Sequence, residues 1–299
     1  MRIGILGSPR GWHTQALQAA FNRKGIPAAC FPITQFVARL SDESHVRIQE
    51  QVLEDYDAII VRSIPAGSLE QIIFRVDVLH RLEDLGVKVV NSARTIERTV
   101  DKYYTSALLE DAGIPTPRTV VTERFDEALE AFKELGDVVV KPIFGSEGRG
   151  MVRVCDEDAA YRVFRALELG RYVYYLQEFI PHGGWDIRAF VIGNEVVSSM
   201  VRRAEGWKTN VAKGASVERL ELNEELTELS LRASAVLGAE YAGVDVLKAE
   251  SGEYYVNEVN GIPGWKGLQK TTRVDIAARI AGYVISLVGE QSDDAVPDA

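Results

Sequence analysis

The chain has 299 residues, 46% of them hydrophobic and 26% charged, a composition that builds about two compact units and excludes a disordered chain. Thirty-four Lys and Arg against 44 Asp and Glu leave a net charge of −10, which excludes nucleic acid and anionic membrane as whole-molecule partners and means that an anionic ligand needs a local basic site. Cys30 and Cys155 are too few for a disulfide framework or a zinc set. MRIGILGSPR lacks a secretory pattern and no later run reaches about 18 apolar residues, so the expected location is the cytoplasm.

Arg2 to Gly7 reads as an apolar strand opening into a Gly/Ser/Pro loop, and Thr14 to Lys24 has helical spacing. Asp57 to Arg62 (DAIIVR) is a second strand, Leu69 to Leu85 a helix, and Val87 to Asn91 (VKVVN) a third strand. Strands alternating with helices predict a doubly wound parallel sheet, an α/β domain over residues 1–92. Asp101 to Ala112 is helical and is stopped by GIPTP; a strand (118–122), a helix (125–135), the strand DVVVK and a glycine-rich turn follow. These predict an α+β unit over 93–175. Residues 176–290 read as two antiparallel hairpins with Gly193-Asn194 and Ser251-Gly252 turns, an amphipathic helix from Asn223 to Leu237 and a terminal one from Asp275 to Val288. The acidic residues 291–299 are expected to fray.

Four segments carry chemistry. In YVNEVN, strand alternation points Glu258 and Asn260 the same way and Val259 into the core, while Asp245 projects from the partner strand GVDVLK. Carboxylate and amide oxygens together suit a hard cation such as Mg²⁺; a solvated polar hairpin face is the plain alternative. In VVVKPIFGSEGRGM, Lys141 ends an apolar strand before a GxxGxG turn whose backbone could close over phosphate, although neither a Walker A loop nor GxGxxG is present and an ordinary hairpin turn explains it as well. LQEFIPHGGWDIR offers an apolar edge for a base with a carboxylate further on; surface acids are the alternative. Ser199 to Arg219 carries five basic and two acidic residues, a cationic patch or else a solvated loop. The four histidines lack ligand spacing and are given no role. Gly7 to Gly11 and Arg62-Ser63 end parallel strands, where an acceptor could bind, though Arg62 also reads as a strand-end charge.

In order, DKYYTSALLEDAGIPTP, VVVKPIFGSEGRGM, LQEFIPHGGWDIRAFVIG, MVRRAEGWKTNVAKGA, AGVDVL and YVNEVNGIPG resemble the ATP-grasp superfamily, and within it the RimK-like amino-acid ligases, over about residues 85–290. The resemblance implies a pre-ATP-grasp domain (1–92), a central subdomain with a glycine-rich lid (93–175) and a C-terminal subdomain with a metal site (176–290). It implies that ATP phosphorylates a carboxylate and an amine then attacks the acyl phosphate. Lys102 and Lys141 would contact phosphates, with Ser146, Gly148 and Gly150 in the lid. Glu178 and Phe179 would sit at adenine and Asp186 at ribose. Arg202, Lys208 and Asn210 would face the phosphates and the acyl phosphate, the catalytic group. Asp245, Glu258 and Asn260 would hold Mg²⁺, as one ion or two, with Mn²⁺ as a substitute. The implied partners are an amino acid supplying the amine, glutamate or a similar one, and an acceptor carboxylate of a coenzyme, small molecule or protein C-terminus; a homo-oligomer is left open. Glu147 and Arg149 in the lid and VAKGA at 211–215 depart from the family pattern. IPGWKGLQKTT, with Trp265, Lys266 and Gln269 near the implied acceptor, resembles the coenzyme-tailing glutamate ligases, the tetrahydromethanopterin:glutamate ligases among them, at least as much as the protein-modifying branch. A non-catalytic nucleotide sensor of the same fold is the rival reading, and a complete metal set argues against it. A dehydrogenase is disfavoured because GxGxxG is missing.

Overall fold

The computed structural model describes residues 1–41, 45–145, 148–211 and 214–294, with side chains to Glu290. The chain opens with β1 (Ile3–Leu6), α1 (Trp12–Arg23) and β2 (Ala28–Phe31). A small antiparallel sheet follows, of β3 (Val37–Arg39), β4 (His45–Ile48) and β5 (Gln51–Val52). Then come β6 (Ala58–Val61), α2 (Leu69–Asp84) and β7 (Lys88–Val90). The order β2-β1-β6-β7, all parallel, is the expected doubly wound sheet. Ser68 and Gln71 start α2 with a reciprocal capping box, which satisfies backbone N–H groups that a helix start leaves orphaned.

Two short helices, α3 (Ala93–Val100) and α4 (Lys102–Asp111), lead out of this sheet. Asp101 caps α4 through Tyr104 N, which makes Lys102 its first residue. The next unit holds β8 (Thr119–Thr122), α5 (Phe125–Leu135), β9 (Val138–Lys141), β10 (Val152–Val154), α6 (Glu157–Leu169) and β11 (Tyr174–Glu178). Its antiparallel sheet, ordered β10-β9-β11-β8, has a core of its own that includes Phe132, Val138, Val140, Phe164, Tyr174 and Leu176. Residues 93–175 feed other cores too: Ala93 and Ile96 pack with the N-terminal sheet, Leu109 with the C-terminal one.

The C-terminal sheet, ordered β14-β13-β12-β15-β16, comprises β12 (Trp185–Ile192), β13 (Glu195–Arg203), β14 (Ser216–Arg219), β15 (Tyr241–Lys248) and β16 (Tyr254–Asn260), with α7 (Glu224–Val236) between β14 and β15. The last helix, α8 (Ile276–Asp294), runs beyond the expected Val288 and takes in the first four residues of the expected tail; residues 295–299 lie outside the described residues. Ile3, Ile5, Leu17 and Phe21 share one core with Phe190, Tyr241, Trp265 and the α8 residues Ile276, Ile280 and Val284. Among the described residues no helix is long and apolar enough to cross a membrane.

Candidate active site

A cleft lies between the β8–β11 sheet and the C-terminal sheet, and Lys102, Lys141, Gly148, Glu178, Phe179, Asp186, Arg202, Lys208, Asn210, Asp245 and Glu258 all border it. Strand alternation aims Lys141: Val138 and Val140 face the unit's core, so Val139 and Lys141 face the cleft. The Lys141 ammonium donates to Asn257 Oδ1 at 3.0 Å and to Gln177 Oε1. Burial pushes it down to about 8, with nearby Lys102 adding to the effect and the Glu258 carboxylate opposing it. Lys102 is also lowered by burial, opposed by Glu258 and Asp101.

The floor is an ion-paired cluster on one face of the C-terminal sheet. Asp186 is opposite Arg202, Arg188 opposite Asp245, and Asp245 opposite Glu258. Arg202 donates to both oxygens of Asp186, at 2.7 and 2.5 Å, and reaches Asp245 Oδ2 at 3.0 Å. Thr209 Oγ1 donates to Asp186 Oδ2 at 2.6 Å. Burial alone would raise the Asp245 carboxyl, but Arg188 and Arg202 outweigh it and hold the group below the usual carboxylate range.

The roof is the glycine-rich segment. Gly145, Gly148 and Gly150 have φ of 145°, 66° and 75°, and a Cβ on Gly148 would collide with the Asn210 carboxamide, so both conformation and space demand glycine there. Lys102 Nζ donates to Gly145 O at 2.7 Å, and Lys208 Nζ to Met151 O at 2.6 Å, so cations from two other segments hold the roof down. Gly150 lies outside the cleft lining, and Ser146 lies outside the described residues. The cleft volume of about 70 Å³ is well below the roughly 300–1,000 Å³ of small-molecule sites, so the roof rests close over the floor.

Asn260 is not in the cleft: its Oδ1 accepts from Ile262 N at 3.0 Å. A β-bulge lies in the register, which passes from Asp245–Glu258 to Val246–Val256 and brings Asn257 and Glu258 together to the cleft. Asp245 and Glu258 border the cleft together, and their carboxylates would suit a hard cation once Asp245 gives up part of its hold on Arg188 and Arg202. Among the described residues no three His, Cys, Asp or Glu are gathered as a metal cage. Gln177, His182, Arg188, Trp207, Thr209 and Asn257 were not singled out from the sequence, yet Gln177, His182, Trp207, Thr209 and Asn257 border the cleft and Arg188 supports Asp245 beneath it.

Of the residues expected near the acceptor, Trp265, Arg62 and Gln269 make contacts within the fold. Trp265 is fully buried, its ring 4.6 Å from His13 and under the Arg62 guanidinium. Arg62 donates to Tyr241 OH and Pro263 O. The Gln269 carboxamide bonds Val274 O and Ile276 N at the start of α8. Glu178 carries its carboxylate outward to Arg118, at 2.9 and 3.1 Å.

Residues 99–284 match the RimK-like ATP-grasp domain and residues 1–96 the RimK PreATP-grasp domain. The tetrahydromethanopterin:alpha-L-glutamate ligase of Methanococcus maripaludis is 34% identical over 295 residues, covering 97% of this chain and all of that protein. The alpha-aminoadipate–LysW ligase LysX of Sulfurisphaera tokodaii is 36% identical over 202 residues, covering 65% of this chain and 70% of LysX. A RimK domain ATP-grasp protein of Sphaerobacter thermophilus shares the fold, with TM-score 0.75 at 24% identity over 95% of this chain and 99% of that one. The ATP-grasp ligase PsnB, solved with a minimal precursor, Mg and ADP, superposes with TM-score 0.73 at 23% identity over 96% and 98% of the two chains. With both domain matches in sequence and nearly the whole length covered, the chain belongs to the RimK-like ATP-grasp family.

Proposed function

We propose that this chain is an ATP-dependent carboxylate–amine ligase that adds glutamate to an acceptor carboxylate. The observation that supports the reading most is the meeting of Lys102, Lys141, Arg202 and Lys208 with the Asp245–Glu258 pair under one glycine-rich roof. Phosphoryl transfer needs positioning and charge neutralisation rather than a protein acid or base, and this set supplies both. Lys102 and Lys141 hold the phosphates, and Asn210 and Lys208 link the roof to the reacting groups. Asp245 and Glu258 would hold Mg²⁺, which neutralises phosphate charge when bound. The acceptor carboxylate oxygen attacks the γ-phosphorus and ADP leaves. The amine then attacks the acyl carbon, phosphate departs, and the amine proton goes to solvent.

The 34% identity over 97% of this chain with a tetrahydromethanopterin:alpha-L-glutamate ligase supports a coenzyme-like acceptor over a protein C-terminus and over a sensor without turnover. Within this reading one Mg²⁺ suffices for the two carboxylates, and Mn²⁺ substitutes for it. The test is ADP release by purified protein with Mg²⁺, glutamate and a panel of soluble carboxylates, with the product identified by mass. Release that needs both glutamate and a carboxylate supports the reading; nucleotide binding without amide formation for any pair refutes it.

A further inference from the structure

The order β2-β1-β6-β7 reverses direction between β1 and β6, and the two faces of the sheet are covered by different helices: Leu17 and Phe21 of α1 pack with Ile5 and Ile60, Val78 and Leu79 of α2 with Leu6 and Val61. In a doubly wound sheet the crevice outside the carboxyl ends of the strands at such a reversal is the usual ligand site. Here the chain's own segment 261–266 lies across it. Asn91, just after β7, donates from Nδ2 to Gly261 O at 2.5 Å and to Tyr241 O at 2.8 Å. Arg62, just after β6, donates from Nη2 to Pro263 O at 2.8 Å. His13, in the first turn of the helix that follows β1, accepts at Nε2 from Trp265 N at 3.0 Å and Lys266 N at 3.3 Å.

The segment thus meets β7, β6 and β1 in the order in which they lie in the sheet, and each anchor grips backbone, which fixes its course independently of its own side chains. Gly261, Pro263 and Trp265 are buried, while Gly264 and Lys266 stay exposed. Both ends of the segment reach the cleft by short routes. Gly261 closely follows Glu258 along the chain, and a Cβ on Gly267 would lie 3.6 Å from both Cγ atoms of Val211, the neighbour of Asn210. We propose that the N-terminal sheet serves the ligation through this segment and does not take substrate into its crevice. His13, Arg62 and Asn91 are positioning residues that hold 261–267 so that its outer side, with Gly264 and the Lys266 ammonium, receives a carboxylate-bearing substrate beside Asn210. The assignment rests on the ligase reading above.

The test compares wild type with His13→Leu, which removes the acceptor but keeps an apolar side chain beside Trp265. Rates are measured against glutamate and against a carboxylate that yields product, and ATP affinity by calorimetry. In His13→Leu the half-saturating concentration of glutamate or of the acceptor is expected to rise about tenfold or more, because a small displacement of a positioning segment is costly. ATP affinity stays within about twofold, and His13→Gln, whose amide oxygen accepts, restores most of the loss. A fall in the active fraction with both half-saturating concentrations unchanged is what a purely structural histidine gives, and it overturns the positioning role. If His13→Leu does not fold, hydrogen exchange in wild type decides, with glutamate, the acceptor and a non-hydrolysable ATP analogue bound. Exchange slows at 264–267 and not at 7–11 or 62–64. Slowing at 7–11 and 62–64, or none at 264–267, overturns the proposal. Absence of amide formation by wild type with every pair would instead refute the ligase reading itself.

Discussion

Arg188 and Asp245 face each other directly across β12 and β15, and the guanidinium spans both carboxylate oxygens, with the Nη2–Oδ2 contact at 2.7 Å. Both side chains are buried, and among the described residues Arg188 pairs with no other acid. Removing one member of a buried pair costs about 3–5 kcal/mol because the other charge stays buried. Asp245→Asn is therefore expected to cost about that much in urea unfolding. Arg188→Met should cost less, about 1–3 kcal/mol, because Asp245 keeps Arg202. The reverse order would show that Arg188 is not held by Asp245.

Glu258→Gln is expected to remove turnover, by about a hundredfold or more, while the melting temperature stays within a few degrees. This carboxylate also raises Lys141 and Lys102. Its loss lets Lys141 fall further below 8, so nucleotide affinity in the variant should decline at a lower pH than in wild type. Near-normal ADP formation at saturating Mg²⁺ would refute the assignment of Glu258 to the reacting phosphates.

Lys141 has an ordinary value of 10.5 and about 8 in the fold. Below pH 8 both folded and unfolded chains hold the proton and the burial penalty is fully present; between 8 and 10.5 only the unfolded chain keeps it, so the penalty is relieved as pH rises. Ligand-free protein should therefore gain stability from Lys141 across that window, and Lys141→Met should flatten the gain. Bound phosphate favours the ammonium, so ATP binding near pH 8.5 should take up protons. Calorimetry in buffers of different ionisation enthalpy measures that uptake, and none would place the phosphates away from Lys141.

Much of this site was legible because it obeys alternation. DVVVK directs Lys141 by period two, and the ordered run of motifs placed Lys102, Arg202 and Glu258 before any coordinates. The metal strand carries one local irregularity: Val256 and Val259 both enter the core although they stand three apart, which a regular strand forbids. That spacing was visible as the signature of a bulge, and it brings in Asn257 while Asn260 turns to its own loop. Arg188 and Thr209 could not be found from spacing, since their partners lie 57 and 23 residues away. The small β3–β5 sheet and β2 are short and weakly patterned, and tertiary contacts decide them.

Gly148→Ala should disturb the roof twice, through its φ of 66° and through the collision with Asn210. The expected result is a tenfold or greater fall in amide formation, with ADP release falling less because an incompletely closed roof admits water to the acyl phosphate. Hydrogen exchange at residues 145 and 148–151 should be faster in the variant with Mg²⁺ and a non-hydrolysable ATP analogue present. Tight coupling of ADP to amide in Gly148→Ala would show that the roof does not exclude water.

His13 accepts from Trp265 N at 3.0 Å and Lys266 N at 3.3 Å, which requires the neutral ring at that nitrogen. Burial, then Arg62 and Lys266, lower it from the ordinary 6.5 to about 4. Its contribution to stability is complete above pH 6.5 and is lost as pH falls towards 4, where the unfolded chain already holds the proton. His13→Gln, whose amide oxygen can still accept, should flatten this acid limb, and an unchanged limb would assign it to other groups.

The core that Ile3, Ile5, Leu17 and Phe21 share with Trp265, Ile276, Ile280 and Val284 sets an order on synthesis. These early strand and helix residues belong to a surface that is completed only when α8, more than 250 residues later, has emerged. Until then the face that α1 and the first sheet offer to Ile276, Ile280 and Val284 stays open, and apolar surface left open in this way favours association between nascent chains. Chains released short of Ile276 should accumulate with chaperones or in the insoluble fraction, even though every residue bordering the cleft has already been made.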